Sequence, residues 1–313
     1  MAMQVERQLI GVDVGKAELV ICPQGQDKPF TLANERRGIQ RYLKALPGPA
    51  CFAVEATNIF HLALAEQAHR LGHTVYLIDG YRLNRYREAV GSRAKTDACD
   101  ARLLVRYLDK ERQELRPWSP PSRGYARLQR LLQRRACLVQ TKTALSQSLK
   151  ALPELRPSAQ ATLRQLERLD GVIKKRITQA LKAHGWLHEA RRCQAIEGVG
   201  PITAAALVMV FHRGRFAHSD AYVAFMGLDV RVRDSGQKKG QRKLTKKGNP
   251  ELRRLLYLAA MTARRSATWE PFYQRCLDRG MSPIQAFVAL ARKLARVAFA
   301  LLKNQTDYVP VAA

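Results

Sequence analysis

Leu9-Ile-Gly-Val-Asp-Val-Gly15 decides the fold of the front of this chain. Its apolar residues read as a buried strand, and Asp13 stands in their midst. A lone carboxylate in such a run is costly unless something offsets its charge. The next segments read the same way. Ala17 to Cys22 and Pro29 to Leu32 are strand-like with Gly25 at a turn, so residues 7–32 predict an antiparallel meander. Arg37 to Leu46 has helical spacing, Cys51 to Ala56 is a short apolar strand, Ile59 to Leu71 a helix and Val75 to Ile78 a strand. Lys95 to Tyr107 is again helical. Three strands followed by alternating helices and strands predict a mixed α/β sheet with helices packed on it.

Further acids accompany Asp13. Glu55 ends the apolar run Phe52-Ala-Val-Glu55, and Lys95-Thr-Asp-Ala-Cys-Asp100 carries Asp97 and Asp100. The last two are spaced i, i+3 and share one helix face. Each acid alone reads as an ordinary strand end, salt bridge or solvated face. The four together offer an all-oxygen donor set for one or two Mg²⁺ (or Mn²⁺) ions, the chemistry of phosphoryl transfer.

Charge points to the substrate. Across 313 residues, Lys and Arg outnumber Asp and Glu by 54 to 26, for a net +28. Residues 1–120 hold 18 basic and 14 acidic residues, which leaves 36 and 12 for the remainder. The electrostatic grip on a polyanion is therefore expected in the back two-thirds. The six cysteines show no C-x-x-C spacing, which argues against a zinc site and fits a reducing, cytoplasmic setting. No signal peptide and no long apolar run is visible, so no membrane partner is expected.

Arg116-Pro-Trp-Ser-Pro-Pro-Ser-Arg-Gly124 reads as a linker. It divides a domain at 1–115 from a helical, coiled-coil-like region at 125–190. There two leucine-rich series, Leu128 to Leu152 and Leu163 to Leu181, predict two long helices with basic outer faces. Residues 191–313 read as a mainly helical domain. Asn249-Pro250 and Ser282-Pro283 are helix starts.

Two motifs in that last part bear on phosphate chemistry. Ile196-Glu-Gly-Val-Gly-Pro201 resembles a helix-hairpin-helix turn, in which Gly198 and Gly200 let backbone approach a phosphate ahead of a helix N-terminus. A plain tight turn between core helices is the competing reading. Arg231 to Pro250 contains eight Lys or Arg in twenty residues around Ser235-Gly236. From the residues alone Ser235 reads as part of a turn in a nucleic-acid-binding loop.

The order of these motifs resembles DEDD-type insertion-sequence transposases, the group that includes Piv-type DNA invertases. The resemblance runs over Gly11-Val-Asp-Val-Gly-Lys16, Val54-Glu-Ala-Thr57, Lys95 to Ala101, Glu197 to Pro201, Phe225-Met-Gly-Leu228, Ser235-Gly236 and Lys246 to Arg253. It implies a RuvC-like, ribonuclease-H-type domain whose acidic set is Asp13, Glu55, Asp97 and Asp100. It implies a C-terminal transposase domain with Ser235 as nucleophile, a covalent phosphoserine–DNA intermediate, and strand exchange through a junction. It also implies a structured guide RNA (bridge or seeker) that pairs with donor and target DNA, and a homo-oligomer of two to four chains. In such assemblies the RuvC-like site of one protomer is completed by the serine of another. The expected nucleic-acid contacts are Lys95, Gly198, Gly200, Arg231, Arg233, Lys238, Lys239, Arg242, Lys243, Lys246, Lys247 and Arg253. Where many relatives carry Ser-Lys after the basic loop, this chain has Thr245-Lys246. The rival readings are a metal-dependent junction nuclease with water as nucleophile and a non-catalytic nucleic-acid-binding protein.

Overall fold

The computed structural model describes residues 7–26, 28–92, 94, 96–231 and 242–310. The chain divides into two compact units, 1–120 and 121–313.

The first unit is built on a five-stranded sheet in the order β3-β2-β1-β4-β5. Strands β1 (Leu9–Val14), β2 (Glu18–Pro23) and β3 (Phe30–Ala33) form the predicted antiparallel meander. After α1 (Arg36–Lys44), β4 (Cys51–Glu55) pairs parallel to β1, with Val12 opposite Val54. Helix α2 (Leu62–Arg70) leads to β5 (Thr74–Ile78), parallel to β4. This mixed order is consistent with a RuvC-like sheet. Ile10, Val12, Val14, Phe52 and Val54 fill one buried cluster with Ile39, Leu43 and Leu64 of α1 and α2. Leu9, Cys51, Ala53, Tyr76 and Ile78 point to the other face, against α3 (Gly80–Ala89) and α4 (Asp97–Glu111). Both faces are covered, which is why the parallel strands read as near-continuous apolar runs.

Helix α3 was missing from the sequence reading. Asp79 starts it by accepting the Arg82 backbone N–H at 2.9 Å. The proline-rich stretch is split between the units: Trp118 donates its backbone N–H to the Val75 carbonyl at 2.7 Å and packs on the first cluster.

The second unit is helical. Helices α5 (Arg123–Ser148) and α6 (Arg156–Ala183) form an antiparallel hairpin, tied by Arg135–Asp170 at 2.9 Å and Lys142–Glu167 at 2.5 Å. Tyr125, Leu128, Leu132, Ile177 and Leu181, at the end away from the hairpin turn, enter the same core as the helices that follow. Those are α7 (Leu187–Gln194), α8 (Pro201–Phe211), α9 (Ser219–Phe225), α10 (Pro250–Ala263), α11 (Glu270–Asp278) and α12 (Pro283–Asn304). Helix α8 is apolar nearly all round and runs through the centre, as such a helix must. Asn249 caps α10, and Ser282 with Gln285 forms a capping box on α12. A short ribbon, β6 (Val230–Arg231) with β7 (Lys243–Leu244), completes the unit. Among the described residues no helix is long and apolar enough to cross a membrane.

Candidate active site

The four acids come together in the first unit because of a glycine. A methyl group on Gly11 would collide with the Ala101 carbonyl oxygen and sit 2.9 Å from the Val105 nitrogen. Helix α4 therefore lies directly on the backbone of β1, with no side chain between them. That contact sets the first turn of α4, with Asp97 and Asp100, over Asp13 two residues along the strand. Glu55 ends the neighbouring strand β4. A methyl group on Gly80, the first residue of α3, would stand 2.6 Å from a Glu55 carboxylate oxygen, so this edge is also kept clear by a glycine.

Local structure favours negative charge here. Thr96 caps α4 by accepting the Cys99 N–H at 3.2 Å, so Asp97 and Asp100 lie in the first turn at the positive end of the helix dipole. Asp100 is buried, 7% exposed, and meets the Arg87 guanidinium at 2.5 Å. Asp13 accepts the Val14 N–H at 2.9 Å. That single bond does not compensate its surroundings. Burial, and then the charges of Glu55, Asp97 and Asp100, push its carboxyl from 3.8 up to about 7. Within this cluster the Arg87 guanidinium faces Asp100.

Among the described residues no three His, Cys, Asp or Glu side chains converge tightly enough to form a ready-made metal cage. The arrangement is a group of mutually repelling carboxylates. Its donors are all hard oxygens, which fits Mg²⁺ or Mn²⁺ and not zinc. A divalent cation among these carboxylates would relieve the burial and repulsion that raise the Asp13 carboxyl. Lys95, expected beside this set, lies outside the described residues, as do Ser235, Arg233, Lys238 and Lys239.

The segment that carries Ser235 lies between described residues Arg231 and Arg242. Arg231 pairs with Lys243 across the ribbon, so residues 232–241 leave and return at adjacent positions. Below the ribbon, Thr245 is spent on anchoring: its N–H bonds the Asp229 carbonyl at 3.0 Å and its hydroxyl bonds the Asp229 carboxylate. The turn at Gly227 (φ 71°) packs on Gly248, where an added methyl would lie 2.8 Å from the Gly227 nitrogen. Arg253 donates to the Lys246 and Gly248 carbonyls at 3.2 and 2.9 Å, so it holds the 246–248 turn in place. The Phe225–Leu228 and Lys246–Arg253 motifs are thus two sides of one knot. Beside it is a cavity of about 680 Å³ whose rim carries Arg231, Arg242, Lys243, Lys246 and Arg292, with Ile284 66% exposed at its edge.

The glycines of the 196–201 hairpin do different work. Gly198 (φ 85°) faces the backbone of α10 at Ala259 and Ala263, so it serves close packing. Gly200 faces open space.

Two family models match the chain. One, a DEDD transposase model of IS110 type, covers residues 10–157, and the other, the transposase IS116/IS110/IS902 family, covers 190–274. This chain belongs to the DEDD-type insertion-sequence transposases. Together the matches take in both candidate sites, with Asp13, Glu55, Asp97 and Asp100 in the first and Ser235 in the second. A pilin gene-inverting protein of Moraxella bovis is 27% identical over 97% of this chain and 98% of its own length. A probable family 20 transposase of Pseudomonas aeruginosa is 27% identical over 97% and 95%. A transposase for insertion sequence element IS1111A, from Coxiella burnetii, is 34% identical over 38% and 34%.

The transposase family makes this chain an enzyme that acts on DNA, and its DEDD domain points to dependence on a divalent metal. Two residues of the sites escaped sequence reasoning. Arg87 lies in Tyr81-Arg-Leu-Asn-Arg-Tyr-Arg87, where nothing separates it from its neighbouring arginines until α3 turns it inward. Glu197 was read as part of a turn. In the structure its carboxylate accepts bonds from Thr268 (2.8 Å), Trp269 (3.0 Å) and Tyr308 (2.7 Å), and ties the hairpin to the chain's last segment. The one available signal was its place beside a glycine hairpin.

Proposed function

We propose that the chain is an RNA-guided DNA recombinase of an insertion sequence that cleaves and exchanges strands through Ser235. The observation that carries this reading is the cation-hungry acidic cluster. Four carboxylates are brought together by glycine contacts, and Asp13 holds its proton up to about pH 7. Asp13, Glu55, Asp97 and Asp100 would hold one or two Mg²⁺ (or Mn²⁺) ions. Such ions stabilise charge that develops on phosphorus-bound oxygens. The Ser235 oxygen attacks phosphorus and gives up its proton. The bond to the leaving sugar oxygen breaks, that oxygen takes a proton, and the strand end remains linked to serine. A sugar hydroxyl of another strand reverses the step and completes exchange.

Arg231, Arg242, Lys243, Lys246 and Lys247 surround the roots of the serine loop, and Arg233, Lys238 and Lys239 lie in it, so phosphates of donor and target DNA are gathered there. Arg253 supports that surface from below. The net charge of the second unit suits a structured guide RNA, which reads sequence by pairing while the protein holds backbone and shape. Exposed Leu169 and Val172, one turn apart on α6, favour assembly with further copies. The gene-inverting relative matches 97% of this chain, which favours recombination over simple cutting.

The test is adduct trapping. Wild-type and Ser235→Ala protein are incubated with Mg²⁺, RNA from the flanking element and labelled junction DNA, then denatured and resolved. A labelled protein band in the wild type alone supports the proposal. Cleavage without an adduct, equal in both proteins, replaces it with a water-using nuclease.

A further inference from the structure

Helix α8 starts without a side-chain cap, because Gly200 at its N-cap has no side chain to offer. The Ile202 and Thr203 N–H groups therefore have no acceptor among the described residues. They open onto a cleft of about 780 Å³ lined by α5, α6, α7, the start of α8 and α10. Thr203 lines the same cavity. It is only 7% exposed, yet its hydroxyl has no hydrogen-bond partner among the described residues. The residue is otherwise buried, and its hydroxyl is reached from the cavity, where a ligand or solvent can bond it. The backbone at Gly200 is open as well, since an added methyl there would meet nothing within 4 Å.

Two kinds of side chain line this space. Lys175 and Arg191 line it and have no carboxylate partner among the described residues. Ile202, Leu255 and Leu258 also line it, the last 44% exposed. An anion seated on the helix start would be held by N–H groups, dipole and cations together. The apolar wall needs a flat, weakly polar group on the same ligand. The volume lies within the roughly 300–1,000 Å³ that receives one small ligand, and a base-paired duplex is far too wide to enter.

We propose that this cavity receives one unpaired nucleotide of a single strand, its phosphate on the start of α8 and its base against Ile202, Leu255 and Leu258. The inference rests on the nucleic-acid reading above and adds that this part of the second unit selects single-stranded over duplex nucleic acid. DNA and RNA share the phosphate, so the source of the strand is decided by experiment.

The full chain is titrated with fluorescent ten-nucleotide probes: single-stranded DNA, RNA of the same sequence, the duplex, and a single strand whose central nucleotides lack bases. Gly200→Val blocks the helix start, Arg191→Glu reverses an exposed charge and Leu258→Asp spoils the apolar wall. Each variant is expected to weaken binding of an intact single strand about tenfold and duplex binding less than twofold. The abasic strand is expected to bind wild type weakly and to lose nothing further on Leu258→Asp. The larger loss, on RNA or on DNA, names the strand that occupies the cavity. Equal losses on single strand and duplex, or single-strand binding untouched by Gly200→Val and Leu258→Asp, overturn the proposal and leave the nucleic-acid reading standing. Failure of wild type to bind any probe removes both.

Discussion

Asp13→Asn should stabilise the metal-free protein, although it removes a residue of the candidate active site. The folded state raises the Asp13 carboxyl from 3.8 to about 7, through burial and three neighbouring carboxylates. Below about pH 4 the group is protonated whether the chain is folded or not, and no penalty exists. As pH rises towards 7 the unfolded chain ionises while the folded one resists, so stability is lost across that window and stays lost above it. The full rise corresponds to a ceiling of about 4 kcal/mol. Asp13 is only about half buried, so solvent screening brings this to roughly 2 kcal/mol. Asparagine keeps the shape and the bond from Val14 and carries no charge. At pH 8 with chelator the variant should therefore melt several degrees higher than wild type. The β1 amides should also exchange more slowly. At pH 4 the two proteins should melt together. Millimolar Mg²⁺ at pH 8 should raise the wild-type melting temperature and leave the variant nearly unmoved. A variant less stable than wild type by the same amount at both pH values would refute the electrostatic account.

Other positions give independent checks. Arg87→Met strands the Asp100 carboxylate, whose pair is 9% and 10% exposed, and should cost about 3–5 kcal/mol by urea denaturation; adding Asp100→Asn should restore much of that loss. Gly11→Ala drives a methyl into α4 backbone and should cost about 3 kcal/mol, seen as a lowered melting temperature with the acidic cluster spread apart. At Glu197, burial raises the carboxyl, but the bonds from Tyr308, Thr268 and Trp269 outweigh it and hold the group below the usual range. Its stabilisation is thus complete above about pH 4.5 and fades as pH falls through the lowered value, so Glu197→Gln should cost about 1–2 kcal/mol at pH 7 and little in acid, by thermal melts. Nucleic-acid binding should fall steeply with salt, with a log–log slope of several; a slope near zero would count against a polyanion partner.

The sheet was legible because β1, β4 and β5 are buried on both faces and the meander is separated by turns, so apolar runs marked them plainly. The acidic set was legible for the same reason: Asp13 and Glu55 stand out against those runs, and Asp97 and Asp100 share a helix face. What the residues could not reveal was contact across space. Helix α3 is mostly polar, and its inward Arg87 shows no periodicity that marks it. Glu197 finds its partners about 70 and 110 residues away. The two glycines of the 196–201 hairpin look alike in sequence, yet one packs on α10 and the other faces a cavity. The role proposed for Ser235 rests on resemblance alone, since a serine among basic residues has no local signature of a nucleophile.

The ribbon that closes on Arg231 and Lys243 has a consequence for protein engineering. Because its strands are clamped by Thr245, Asp229 and the Gly227–Gly248 contact, the ends of segment 232–241 are held together by residues outside it. The separation of those ends is set by the surrounding fold. The position suits a cassette experiment: segments from other members of the family can be exchanged between the same two anchors, and the change in activity compared insert by insert.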